Sequence, residues 1–523
     1  MPARLRRQNG TNLSLCRTTT MSPLGKMRDP VEPKRLSTGV EGLDDVLGGG
    51  FTRDRVYLLE GSPGTGKTTF ALRFLLAGVE RGEKCLYITL SESAQELTDV
   101  VSSHGWSLDK INVFELLDET GRDPDAEQSI LYPSEIELGE TVKKITDEIS
   151  AREPTLVVFD SLSEMRLLAQ DPLRYRRQVL ALKQFLSLRE CTVLLLDDKT
   201  SSLADLQLHS ICHGVITLQQ LTRDYGAEGR HLRVVKMRGQ KFQGGVHDFA
   251  IETGRVAVFP RLVAARYRTR VLHEQVSSGV ARLDSILGGG LTRGTSTLLL
   301  GPSGIGKTTT AVQCMHAALG RGQRATYYLF DEGSSTLLLR SQSLGMDLTP
   351  YVESGQCKVI QIDPADLSTG EFASLVVGAV TRDGASFIVL DSLNAYLQAM
   401  PGQSFLLLHM HELLTFLGHR GVITMVVVGQ HGAVGNVRSD IDLSYLSDAT
   451  LLYGYFEANG AVRSSITALK SRIAENERTI REFRLTSGAG LEIGEPLSTF
   501  EGVLTGLPVY TGVTKMLGAD DTP

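Results

Sequence analysis

Short apolar runs, separated by longer stretches of mixed polarity, recur along the whole chain. Val56-Tyr57-Leu58-Leu59, Cys85-Leu86-Tyr87-Ile88-Thr89-Leu90 and Thr155-Leu156-Val157-Val158-Phe159 lie in the first half. Thr297-Leu298-Leu299-Leu300, Tyr327-Tyr328-Leu329-Phe330 and Phe387-Ile388-Val389-Leu390 lie in the second. Such runs, rich in β-branched and aromatic residues, read as strands buried on both faces. The stretches between them have room for helices. Alternating strands and helices predict an α/β fold, with a mainly parallel twisted sheet carrying helices on both faces. The longest clear apolar run, Val422 to Val428, is a buried strand by length and far short of a membrane span.

The pattern also repeats over a long period. Ser37-Thr38-Gly39-Val40-Glu41-Gly42-Leu43-Asp44, followed by Leu47-Gly48-Gly49-Gly50, returns as Ser277-Ser278-Gly279-Val280-Ala281-Arg282-Leu283-Asp284, followed by Leu287-Gly288-Gly289-Gly290. Gly39 and Gly279 stand 240 positions apart. A constant long register predicts a duplicated domain, not a solenoid. The expected division is a first domain at 34–260, a linker at 261–271 and a second domain at 272–507. A basic leader (1–33) and a short tail (508–523) flank them. Residues 1 to 28 hold six basic residues and no acidic one. A transit peptide has that composition, but the simpler reading is a disordered tail, or a start at Met21 or Met27. The acidic segment from Asp118 to Glu140 reads as a solvated loop or lid.

The chemistry enters at Gly61-Ser62-Pro63-Gly64-Thr65-Gly66-Lys67-Thr68, which follows the first apolar run and opens a helix at Thr69. It matches the phosphate-binding P-loop pattern. Glycines let the backbone curl so that its N–H groups face phosphates, and the helix N-terminus favours the negative charge. Lys67 reaches the outer phosphates, and the Thr68 hydroxyl suits magnesium. The same arrangement returns as Gly301-Pro302-Ser303-Gly304-Ile305-Gly306-Lys307-Thr308, before Thr309, again at a spacing of 240. Two copies in one register exclude chance. Expected ATP contacts are therefore Gly61, Ser62, Gly64 to Thr69, Gly301, Ser303 and Gly304 to Thr309.

Other residues fall at strand ends, where open α/β sheets bind ligands. Glu92 follows the strand ending near Leu90, just before a capping-box sequence, Ser93-Ala94-Gln95-Glu96. Its counterparts are Asp331 and Glu332. Asp160 and Asp391 each end an apolar strand in the Walker B manner and, with Thr68 and Thr308, form the expected magnesium ligands. Lys236-Met237-Arg238 and Lys470-Ser471-Arg472 place cations near the end of each half. On local sequence alone an exposed basic edge accounts for them; the functional alternative is a pair of cations aimed at a neighbour's nucleotide.

Composition narrows the field without deciding it. The 523 residues are 41% hydrophobic and 22% charged, with a net charge of −6, which argues against a dedicated nucleic-acid surface. Six cysteines include no C-x-x-C pair, so neither a disulfide framework nor a zinc site is indicated, and a reducing, cytoplasmic setting is expected. His209 and His213 are four apart, but no acidic or cysteine partner of suitable spacing makes a metal site of them.

Taken together, the paired glycine-rich openings, two P-loops, strand-end acids and K-x-R segments resemble the KaiC family, duplicated RecA-like ATPases of the circadian clock. The likeness spans most of residues 34 to 507. It implies two RecA-like domains, a hexamer with Mg-ATP between protomers, and Lys236, Met237 and Arg238, or Lys470, Ser471 and Arg472, reaching the next subunit's nucleotide. It also implies catalytic carboxylates at Glu92 and at Asp331 and Glu332. The family has two adjacent Glu residues in each domain. Here Ser91 replaces one in the first half, and Asp331 shortens one in the second. Members phosphorylate themselves on a Ser-Thr pair; the matching acceptors are Ser444 and Tyr445, the latter a departure. The short tail gives no ground for the family's clock partners. The expected activity is an ATPase with serine/threonine autokinase function in the second domain, acting as a signalling or timing switch. The alternatives are a RecA/RadA-type DNA-dependent ATPase and an ATP-assembled scaffold without kinase activity.

Overall fold

The computed structural model describes residues 34–116, 133–169, 171–199, 205–222, 226–363, 365–398, 405–430, 444–458, 460–472, 476–505 and 509–511. The leader, the acidic stretch 117–132 and most of the tail lie outside them. Two nine-stranded sheets dominate. The first runs, edge to edge, Arg255–Phe259, Val246–Glu252, Gly229–Met237, Gly214–Leu221, Val56–Gly61, Thr192–Asp198, Leu156–Asp160, Cys85–Thr89 and Ile111–Glu115. The second runs Cys357–Gln361, Ala325–Leu329, Phe387–Asp391, Ile423–Gly429, Ser296–Gly301, Ala449–Ala458, Ala461–Ser471, Arg481–Thr486 and Gly490–Pro496. From Ile111–Glu115 through Gly214–Leu221 in the first sheet, and from Cys357–Gln361 through Ala449–Ala458 in the second, all pairings are parallel; the three remaining strands of each sheet join antiparallel.

The expectation of a mainly parallel sheet covered on both faces holds, and the period-two alternation of side chains explains it. Tyr57, Leu59, Tyr87 and Val158 point into a core that contains Phe70, Phe74 and Leu97. Their neighbours Val56, Leu58, Leu86, Ile88, Val157 and Phe159 point into a second core with Ile145, Ile149, Val179 and Leu182. Successive residues of one strand thus serve opposite faces. Helices Lys67–Glu80 and Ala94–Ser103 cover one face; Pro133–Arg152 and Pro172–Ser187 cover the other. The second half repeats this with two cores of its own.

Three local results bear on the sequence reading. Ser93 and Glu96 form the reciprocal cap of helix Ala94–Ser103. The segment read as an acidic loop up to Glu140 is helical from Pro133, because Leu138, Val142, Ile145 and Ile149 supply a helical apolar stripe that the density of acids disguised. Downstream of Pro260, the basic stretch is docked. Ala264 donates its N–H to Glu412 at 2.8 Å, and Tyr267 meets Phe416 edge to face at 4.9 Å.

The halves also meet through a buried carboxylate. Asp248, in strand Val246–Glu252, accepts from the Gly370 N–H (2.7 Å) and the Thr369 hydroxyl (3.2 Å), at the N-terminus of helix Thr369–Thr381. His231 lies 3.1 Å from its other oxygen. An anion at a helix N-terminus satisfies otherwise orphaned N–H groups.

Candidate functional site

Both P-loops sit at the carboxyl end of the central strand of their sheet. Gly64 and Gly66 adopt φ values of 80° and 98°, and Gly304 and Gly306 of 75° and 110°. A Cβ on Gly66 would come within 2.3 Å of Ile251, so the curl requires glycine on two counts. No side chain caps helix Lys67–Glu80 or helix Lys307–Gly320, which leaves first-turn N–H groups for an anionic ligand.

The lysines fold back over the loops. Lys67 Nζ donates to the carbonyls of Gly61 (2.9 Å) and Ser62 (3.1 Å) and lies 2.6 Å from Asp198. Lys307 donates to Gly301 (2.7 Å) and Pro302 (2.6 Å), and burial lowers its ammonium to about 8. A buried cation held only by carbonyls is better served by a phosphate.

Beside each lysine lies a nearly identical triad. Asp160 Oδ2 accepts from Thr68 at 3.2 Å and from Tyr87 at 2.5 Å. Asp391 Oδ2 accepts from Thr308 and from Tyr327, both at 2.7 Å. Burial pushes both carboxyls up, against the lowering effect of these donors. A dry carboxylate beside a threonine hydroxyl suits a small hard cation that completes its shell with phosphate oxygens and water. Among the described residues no cluster of three or more His, Cys, Asp or Glu offers a cage of its own.

Glu92 and Glu332 stand at equivalent strand ends but in different company. Burial and the nearby Asp160 push the Glu92 carboxyl up, and its Oε2 is buried without a hydrogen-bond partner. Glu332 instead receives both arms of Arg340, at 2.6 and 2.9 Å. The exposed Asp331 accepts from the Ser392 hydroxyl. Lys307, Thr308, Asp331, Glu332, Arg340 and Asp391 together line one open cavity of about 530 Å³.

The K-x-R segments lie elsewhere. Met237 is level with Gly214 and Tyr57, at the start of the P-loop strand, and Ser471 is level with Ala449 and Thr297. Lys236 and Arg238 donate to the His209 and Ser210 carbonyls, at the end of helix Asp205–Ile211. Lys470 donates to Ser447, and Arg472 to Tyr445 at 3.1 Å. Tyr57 and Gly61 are separated by about 13 Å of extended chain, so these cations are remote from their own P-loop. The turn Ser444–Leu446 lies at that same remote end, since Ser296 Oγ bonds the Leu446 carbonyl. Tyr445 is about half exposed; the Ser444 side chain and upstream Ser439 and Asp440 lie outside the described residues. His209 bonds Glu60 at 2.8 Å, whereas His213 packs on Tyr57, so the two histidines share nothing.

Sequence reading missed Tyr87, Tyr327, Asp198 and Arg340. For the tyrosines a signal existed: they too are 240 apart and lie on the strand beside the Walker B strand.

A family model described as "ATPase: KaiC" matches residues 36–263 and again 276–498. The chain is 24% identical over 488 residues to the circadian clock protein KaiC3 of Synechocystis sp., covering 92% of this chain and 96% of that protein. It is 25% identical to the circadian clock oscillator protein KaiC of Thermostichus vulcanus (92% and 93% covered) and to that of Synechococcus elongatus (92% and 93%). Two matched copies over most of the length, each built around a P-loop strand, place this chain in the KaiC ATPase family.

Proposed function

We propose that this protein is a Mg-ATP-dependent ATPase of two tandem domains (34–260 and 272–507). In this reading its protomers join head to tail into a hexameric ring, and its second domain transfers phosphate to its own chain. One observation carries it. Each half presents a P-loop at one end of its sheet and a cation pair at the other. A surface whose two complementary parts lie at opposite ends cannot complete itself within one copy, and head-to-tail contacts that close make rings.

Within each site the residues divide the work. Lys67 and Lys307 leave their carbonyl partners for the outer phosphates, and first-turn N–H groups hold the phosphate oxygens. Thr68 with Asp160, and Thr308 with Asp391, would hold magnesium, which when bound neutralises charge on the β and γ oxygens. Glu92, whose raised carboxyl is a better proton acceptor, takes the proton of the attacking water. Glu332, with Asp331, does the same for water or for an incoming hydroxyl. Arg238 and Arg472, with Lys236 and Lys470, offset charge on the nucleotide of the adjoining protomer.

The turn holding Ser444 and Tyr445 lies at the cation end, so a hydroxyl there meets a neighbour's ATP and not its own. Purified protein incubated with Mg-ATP and analysed by mass spectrometry should release phosphate and carry a phosphate on Ser444 or Tyr445. Phosphate release without any label would remove the kinase. Turnover that appears only with single-stranded DNA would replace the reading with a DNA-dependent ATPase.

A further inference from the structure

The two halves differ in what stands over their strand-end glutamates. Arg340, on helix Ser334–Ser343, sends both Nη atoms to the two oxygens of Glu332, a bidentate fork at 2.6 and 2.9 Å. Both side chains line the cavity that holds Lys307 and Thr308. At the matching register of the first half stands Val100, which packs on the core, and Glu92 there has no such clasp. Duplication has thus kept the carboxylate and given only the second copy an arginine over it.

We propose that Arg340 is an exchange residue of the second site. It holds Glu332 while no γ-phosphate is present, and it turns to the terminal phosphate of a nucleoside triphosphate, leaving Glu332 free. A nucleoside diphosphate lacks that group and leaves the pair intact. This rests on the reading of the cavity as a triphosphate site.

The chemistry favours the exchange. A guanidinium fork fits a carboxylate and a phosphate with the same two parallel N–H groups. The pair keeps partial solvent contact, with side-chain exposures of 38% and 25%, so it is weakly held and easily broken. Around it lie Asp331, Asp391 and Lys307. A terminal phosphate entering among three carboxylates meets repulsion, and Arg340 is the cation of the cavity besides Lys307 placed to offset it. Released from Arg340, Glu332 regains both oxygens as acceptors for a proton.

The test measures binding, not turnover. In the full chain carrying Lys67→Ala, calorimetry would follow Mg-ADP and a Mg-bound β,γ-imido ATP analogue at the second site. Arg340→Met, which keeps the apolar stem, should weaken the analogue by about tenfold or more and ADP by less than about twofold, the scale of one charge-assisted pair. Glu332→Gln, which removes the competing charge, should tighten the analogue severalfold and leave ADP alone. The double variant should match Arg340→Met. Equal effects on both nucleotides, or none, would overturn the exchange while leaving the nucleotide site standing. A parent chain that binds neither nucleotide would overturn the site itself. Should Arg340→Met fail to fold, the Glu332→Gln arm alone decides, because an analogue affinity unchanged by it contradicts the competition.

Discussion

Asp160 and Asp391 are acids kept almost out of water, and each is held by one tyrosine and one threonine. Removing the tyrosine hydroxyl leaves a buried acceptor one donor short. Tyr327→Phe should therefore lower stability by about 1.5–3 kcal/mol in chemical denaturation, the cost of a lost bond to a charged group. An unchanged midpoint would show that the hydroxyl does not hold Asp391. For Glu92 the expectation concerns rate. Glu92→Gln in a chain whose second site is silenced by Lys307→Ala should slow phosphate release by about a hundredfold or more and leave nucleotide affinity intact, as for loss of a general base. Unchanged hydrolysis would take Glu92 out of that role. At this scale the legible residues are those fixed by spacing. Glycines of positive φ, the lysine and the threonine occur at set intervals because the loop permits no other order. Tyr87 and Tyr327 are legible only as strand residues, since a buried aromatic serves a sheet equally well with or without a polar tip. Arg340 was hidden for a different reason: its partner Glu332 lies eight positions away across a loop and a helix, so only the folded chain pairs them.

Among elements, the parallel strands were readable because burial on both faces makes them continuous apolar runs. The three antiparallel strands that extend each sheet were less so. Strands such as Gly229–Met237 alternate buried and exposed positions and carry arginines, which in isolation read as surface. That wing also carries Asp248, which docks on helix Thr369–Thr381. Burial would raise this carboxyl, but hydrogen bonds from His231, Gly370 and Thr369 outweigh it and hold the group below the usual aspartate range. A carboxyl lowered on folding adds stability that is fully present above its unfolded pKa and is lost as pH falls through its folded value. Between about pH 5 and 3 the parent should therefore lose more thermal stability than Asp248→Asn, which cannot titrate there. Parallel loss in both proteins would show that Asp248 does not tie the halves together. His231 and His409 face the same carboxylate, so the comparison is best kept below the range in which histidines titrate.

The whole molecule is organised by a separation. Its P-loops and its cation pairs occupy opposite ends of the same two sheets, and no fold of a single copy brings them together. On the proposed function, assembly and chemistry are one event: ATP at one protomer's P-loop would recruit the next protomer's arginine, and the acceptor turn would come with it. Lys67→Ala should accordingly weaken Mg-ATP-dependent assembly, read as mass by light scattering. Lys307→Ala should abolish incorporation of label from γ-labelled ATP, and label that persists would contradict the kinase assignment. The most direct test of completion by a neighbour is subunit mixing in chains that all carry Glu92→Gln. Lys307→Ala protein keeps its cations and lacks a working second P-loop; Arg472→Ala protein keeps the P-loop and lacks the arginine. Each alone should be nearly inactive at the second site, and the mixture should regain hydrolysis as hybrid interfaces form. A mixture no more active than the sum of its parts, with both proteins assembled, would contradict the account.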